Sequence, residues 1–125
     1  MRIIPTRIHG FLDYGVALLL IVSPWILGFA DGGAEQWVLV ALGIFVIVYS
    51  LVTDYELSVA RMLSMPAHLG LDIAGGAVLA LSPWLFGFAE DVWAPHLIFG
   101  ILEIGASLLT QQVQGVTARN ASVIE

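Results

Sequence analysis

Four apolar stretches run along the chain, roughly Ile8–Phe29, Gln36–Thr53, Ala67–Phe88 and Trp93–Thr110, with short polar breaks between them. Each is 18 to 22 residues long. At a rise of about 1.5 Å per residue, that is the length a helix needs to cross about 30 Å of hydrocarbon. None shows the strict alternation of a half-buried strand, and in lipid a helix satisfies its own backbone groups. The pattern predicts an all-α integral membrane four-helix bundle.

The breaks differ in kind. Asp31-Gly32-Gly33-Ala34-Glu35 and Glu90-Asp91-Val92 are short enough to close helical hairpins. Between the hairpins, Asp54–Pro66 sets Glu56, Ser58, Arg61 and Ser64 among Leu57, Val59, Met62 and Leu63. That mixture predicts a short helix lying in the interface, in preference to a polar loop with a few apolar anchors. Pro66 then opens the third span, because proline is tolerated in a first helical turn. The chain reads as one membrane domain over 1–125. It divides into a first unit at 7–54, an interfacial connector at 55–66, a second unit at 67–111 and a polar tail at 112–125.

The two units repeat each other. Ser23-Pro24-Trp25-Ile26-Leu27-Gly28-Phe29-Ala30-Asp31 recurs as Ser82-Pro83-Trp84-Leu85-Phe86-Gly87-Phe88-Ala89-Glu90, an offset of 59. His9 and Asp13 match His68 and Asp72 at the same offset. Past the hairpin loop the register changes by two, so that Gly43, Ser50 and Thr53 match Gly100, Ser107 and Thr110. Self-similarity over this length marks an internal duplication. Each unit holds an even number of helices, so both point the same way through the membrane. The expected relation is a pseudo-twofold along the membrane normal, unlike the inverted repeats of many transporters.

Composition narrows the class. Hydrophobic residues make up 59% of the chain and charged residues 11%, against about 25% charged in soluble chains. Lysine is absent and the net charge is −6, which leaves no basic stripe to neutralise nucleic-acid phosphates. Cysteine is absent, which excludes thiol redox chemistry and thiolate metal sites. The basic start, Met1 to Arg7, resembles a signal-peptide n-region, but the apolar run behind it is too long and ends in Ser-Pro-Trp, so a retained helix is expected. The four arginines, Arg2, Arg7, Arg61 and Arg119, fall on the termini and the central connector, while the hairpin loops carry only acids. The positive-inside rule therefore predicts a multi-pass protein of the cell inner (plasma) membrane with both termini cytoplasmic.

Two Ser-Pro-Trp motifs in register, each late in the first helix of a two-helix unit and each followed by Gly-Phe-Ala-acid, resemble the SPW repeat family of small prokaryotic membrane proteins. The resemblance covers about Arg7 to Gln111. It implies a membrane location and the duplication, and supplies no activity, cofactor or substrate.

Three sets of polar residues are candidates for chemistry. In Ser23, Pro24, Trp25 and Gly28, and in Ser82, Pro83, Trp84 and Gly87, the prolines should loosen each helix, and the serines can bond the freed carbonyls. The tryptophans suit a membrane interface, and the glycines can end the helix. A structural motif is favoured over a ligand pocket. His9 with Asp13, and His68 with Asp72, are each spaced one helical turn apart and share a face. A twofold could join them as two imidazoles and two carboxylates. The readings, in order, are structural pairs bonded to their own histidine or to Arg7, a proton or ion site, and a metal site. Glu103 lies near the middle of the fourth span, where its counterpart is Val46. A carboxyl there should face protein, be protonated or find a partner, with Ser107 one turn on and groups on the first and third helices as candidates. His96 is read as an interfacial polar residue.

No nucleophile–base set and no phosphate loop is visible, so neither an enzyme nor catalytic residues are expected, and no cofactor or metal is assigned. The expected function is structural or interactive, as an accessory subunit of a larger membrane complex. The expected partners are the lipid bilayer and other membrane subunits or a second copy, with no nucleic acid. The alternative is a minimal proton, ion or small-solute transporter built on the His/Asp pairs and Glu103.

Overall fold

A computed structural model describes residues 2–112. The polar tail from 113 onward, with Arg119, lies outside the described residues. The rest is all-helical, with four helices in chain order: α1 (Thr6–Ile26), α2 (Ala34–Leu51), α3 (Met65–Leu85) and α4 (Ala94–Leu109). The first three are long and apolar enough to cross a membrane. The fourth is apolar but has 16 residues, about 24 Å at the usual rise. The apolar run from Trp93 to Thr110 included residues that cap this helix rather than extend it. Trp93 is its N-cap, with Pro95 just inside, and Thr110 is its C-cap in extended conformation.

The helices pair as the hairpins require, α1 on α2 and α3 on α4, with α2 against α3 and a sparse seam between α1 and α4. Each hairpin packs tightly at a glycine. A Cβ on Gly43 would lie 2.8 Å from Ala17 O, and one on Gly100 would lie 2.5 Å from Gly76 O. Without a hydrophobic drive between helices in lipid, backbone contact of this kind supplies the packing energy. Leu20, Leu39 and Leu79 form the middle of the core, with Val16, Phe29, Val38, Leu42 and Phe99 around them. Large apolar side chains such as Phe11, Leu18, Ile44, Phe45, Leu81, Ile101 and Leu102 lie exposed along the helices. In water such a surface would aggregate.

The expected interfacial helix does not form. Residues 54–64 are irregular because their backbone donors are engaged elsewhere. Val59 and Ala60 N–H donate to Leu51 O at 2.9 and 3.0 Å, and Met62 and Leu63 N–H to Val52 O at 2.9 and 2.7 Å. They thus satisfy carbonyls that the end of α2 leaves open. Side chains hold the segment down as well. Thr6 Oγ1 donates to both Glu56 carboxylate oxygens, and Tyr14 OH donates to Leu57 O at 2.7 Å. Leu57 also fills the notch over Gly10. Val59 and Met62, two of the residues that suggested an apolar stripe, are exposed.

The two halves repeat the same bonds at the terminal end of the bundle. Ile4 N–H donates to Leu109 O, and Gln111 N–H to Ile4 O, each at 2.8 Å. Fifty-nine and 57 residues away in the matching registers, Leu63 N–H donates to Val52 O, and Asp54 N–H to Leu63 O, each at 2.7 Å. The strand-like residues before α3 close the end of α2, and those before α1 close the end of α4.

Candidate functional site

The Ser-Pro-Trp motifs lie at the hairpin end, and their chemistry is helix termination. Proline 24 removes the donor that Leu20 O would have received, and Ser23 Oγ supplies one at 3.0 Å. Ser82 Oγ does the same for Leu79 O at 2.7 Å. Phe29 N–H then donates to Pro24 O at 2.9 Å, and Phe88 N–H to Pro83 O at 2.8 Å, the six-to-one bond of a Schellman cap. The residue between must adopt positive φ. Gly28 (φ 83°) and Gly87 (φ 76°) do so. Trp25 and Trp84 point outward and are more than half exposed. The motif turns the chain out of the helix and leaves an aromatic ring on the surface.

Phe29 and Phe88 instead turn inward onto His96, with ring centroids 5.7 and 4.8 Å away. His96, in the first turn of α4, is fully buried among the helices, and its Nε2–H donates to Glu35 O at 2.8 Å. It stitches the start of α4 to the start of α2.

At the opposite end of the core, His9 and Asp13 on α1 meet His68 and Asp72 on α3. All four are at most 2% exposed. Each histidine reaches its own carboxylate and that of the other half. His9 Nε2 lies 3.0 Å from Asp13 Oδ1 and 2.8 Å from Asp72 Oδ2. His68 Nε2 lies 2.9 Å from Asp13 Oδ2 and 3.2 Å from Asp72 Oδ2. This reciprocity is what a twofold relation between the halves requires. The pairs expected to be closed within each helix are thus joined across the halves.

The other imidazole nitrogens are held by threonines that sequence reasoning gave no role. His9 Nδ1 lies 2.7 Å from Thr110 Oγ1, and His68 Nδ1 lies 2.7 Å from Thr53 Oγ1. Each threonine hydroxyl also donates to the carbonyl four residues back, Thr110 to Ala106 O and Thr53 to Tyr49 O, both at 2.6 Å. Two tyrosines complete the ring of donors. Tyr49 OH donates to Asp72, and Tyr55 OH, from the connector, donates to Asp13 Oδ2 at 3.0 Å. Burial, then the Asp13 charge, pushes ionisation of the Tyr55 hydroxyl up, so it stays an O–H donor. Ser107 Oγ lies 3.3 Å from Asp72 Oδ2. The threonines were visible as a repeat match, but neither tyrosine has a matching tyrosine in the other half.

Glu103 faces the interior, as its position required. It shares a cavity of about 180 Å³ in the α1–α4 seam with His9, Asp13, Leu12, Val16, Leu102 and Ala106. One expected partner, Ser107, is engaged with Asp72 instead, and Glu103 Oε1 is buried with no hydrogen-bond partner among the described residues.

The comparisons with known proteins point one way. The family described as the SPW repeat domain matches residues 7–110. No curated protein and no solved structure matches the chain.

Proposed function

We propose, from the premise that this chain belongs to the SPW repeat family, that it is a structural or interaction protein of the prokaryotic inner (plasma) membrane. On this reading it serves as a non-enzymatic accessory subunit of a larger membrane complex. The carrying observation is the apolar layer across the middle of the bundle. Leu20, Leu39 and Leu79, with Phe29, Leu42 and Phe99 around them, separate the His/Asp centre from His96. A transporter needs a polar path through the bundle, and this layer interrupts it. The buried polar groups then serve to fix how the halves dock, a use attested for buried polar residues in other bundles.

Two further parts of the reading rest on the same residues. The bonds that recur in both halves support an origin by internal duplication. Arg2, Arg7 and Arg61 at the terminal end, against Asp31, Glu35, Glu90 and Asp91 at the hairpin end, support cytoplasmic termini, with α4 as a fourth crossing beside α3.

Cross-linking in native membranes followed by purification of the full chain tests the reading. The expected result is a reproducible, stoichiometric membrane partner, or a second copy, and no solute flux in proteoliposomes. Flux without a partner would overturn it. The transport alternative draws on one observation, the unpartnered Glu103 carboxyl beside the seam cavity. It expects flux that Glu103→Gln abolishes.

A further inference from the structure

We infer that His9, Asp13, His68 and Asp72 form the binding site for one divalent transition-metal ion of the zinc class, held between the two halves of the bundle. One donor atom from each residue can be chosen so that all four lie within 4.8 Å of one another. A tetrahedral ion at about 2.0–2.1 Å from nitrogen and oxygen ligands needs donor-to-donor edges of about 3.3 Å. The four nitrogen–oxygen distances across the centre run from 2.8 to 3.2 Å. These distances use both oxygens of Asp13, so an ion would open the close edges by a few tenths of an ångström and draw in the widest, up to 4.8 Å.

The threonines decide where the protons sit. A hydroxyl has one hydrogen, and in Thr53 and Thr110 it points to a backbone carbonyl, which can only accept. Each hydroxyl oxygen must therefore accept from its histidine, so both imidazoles carry hydrogen on Nδ1. Both Nε2 atoms face the carboxylates. A bare Nε2 lone pair against an anionic oxygen at these distances is repulsive, so positive charge must lie between them.

Protons supply that charge most favourably where an N–H points at an oxygen. His9 Nε2 meets this condition with Asp72 Oδ2. His68 Nε2 does not: it is buried and near two carboxylate oxygens, yet aligned for a hydrogen bond with neither. An ion in the gap between ligands answers that geometry, and two carboxylates with one dication leave the buried centre neutral.

The surroundings fit the same assignment. An Nδ1–H bonded to a second group is the usual support for a metal-bound imidazole, and hydrogen bonds to ligating carboxylates are usual too. Tyr49, Tyr55 and Ser107 provide the latter. Two imidazoles with two carboxylates select zinc, cobalt or ferrous iron over magnesium or calcium, which take all-oxygen sets. Four protein ligands fill a tetrahedral ion, which makes the site structural rather than catalytic. A cavity in the seam lies beside His9 and Asp13, with the Glu103 carboxyl on its wall.

The test uses the full chain in detergent, stripped of metal and titrated with Co²⁺. The expected result is one equivalent per chain with the intense visible absorption of a four-coordinate cobalt, displaced by Zn²⁺ and unaffected by Mg²⁺. His9→Gln and His68→Gln should each remove the band. Thr110→Val keeps all four ligands and should weaken Co²⁺ about 10- to 100-fold. Wild-type protein that takes up no stoichiometric Co²⁺ overturns the assignment, whatever the variants do. A band that survives in both histidine variants overturns it as well.

Discussion

Thr53 and Thr110 show how much one hydroxyl can carry. Each ties an imidazole to the end of its own helix, and each sits at the same place in its half. Thr110→Val keeps the shape but leaves the His9 Nδ1–H buried without an acceptor. That should cost about 1–3 kcal/mol, read as a lower midpoint for unfolding in denaturing detergent. Thr53→Val should cost a similar amount, because its bonds are the same. Glu103 presents the opposite case. Its Oε1 lacks a partner among the described residues, and the matching residue in the first half is Val46. Glu103→Val should therefore raise stability by about 1–3 kcal/mol in the same assay. A loss of stability would mean that the carboxyl has a partner in the assembled protein. The sequence identified Glu103 by its depth and the His/Asp pairs by their spacing. It did not identify Tyr49 and Tyr55, whose role depends on which helices meet and on a connector whose path no periodicity encodes.

Among the elements, the Ser-Pro-Trp segments were the most legible, because each residue has a local task. The serine replaces a donor the proline removed, and the glycine allows the left-handed cap. Gly87→Ala meets no neighbouring atom, so its cost is backbone strain alone, about 1–2 kcal/mol. Ser82→Ala should cost about 1 kcal/mol by orphaning Leu79 O. If the motif were instead a ligand pocket, neither change would need to move the unfolding midpoint. The connector was the least legible element. Its mixed apolar and charged sequence suits an interfacial helix, yet its donors close α2 and its Tyr55 is fully buried against the His/Asp centre. Local pattern cannot register bonds made to a different element.

At the scale of the whole molecule, the duplicated pattern foretold the reciprocal contacts, since a twofold brings matching residues face to face. The hairpins α1–α2 and α3–α4 each close on a glycine, the small residue that lets helices approach in lipid. Gly100→Ala would place a methyl 2.5 Å from both Gly76 O and Ala80 N. Helices α3 and α4 would have to separate, at about 1–3 kcal/mol. The matching Gly43→Ala should cost less, because its methyl would meet one backbone atom, Ala17 O at 2.8 Å, where that of Gly100→Ala meets two at 2.5 Å. Comparing the two midpoints checks this order. Orientation has its own measurement. Reporters fused after Gln111 and within residues 31–35 should report opposite sides, with the former cytoplasmic.

The pairing of Ile4 with Leu109 and Gln111 makes the described fold nearly a closed ring. Arg2 reinforces the closure, with Nη1 donating to Thr110 O at 2.8 Å and Ser107 O at 3.2 Å. The junction between α4 and α1 is then the chemical twin of the one between α2 and α3, except that no peptide bond runs through it. Where the chain is cut should therefore matter little. A circular permutant that joins residue 112 to residue 2 by a short linker, with new ends opened between Ser58 and Val59, should insert and fold with the His/Asp centre intact. A gene encoding either half twice, by contrast, would lose the asymmetry that gives the centre Tyr49 on one side and Glu103 on the other.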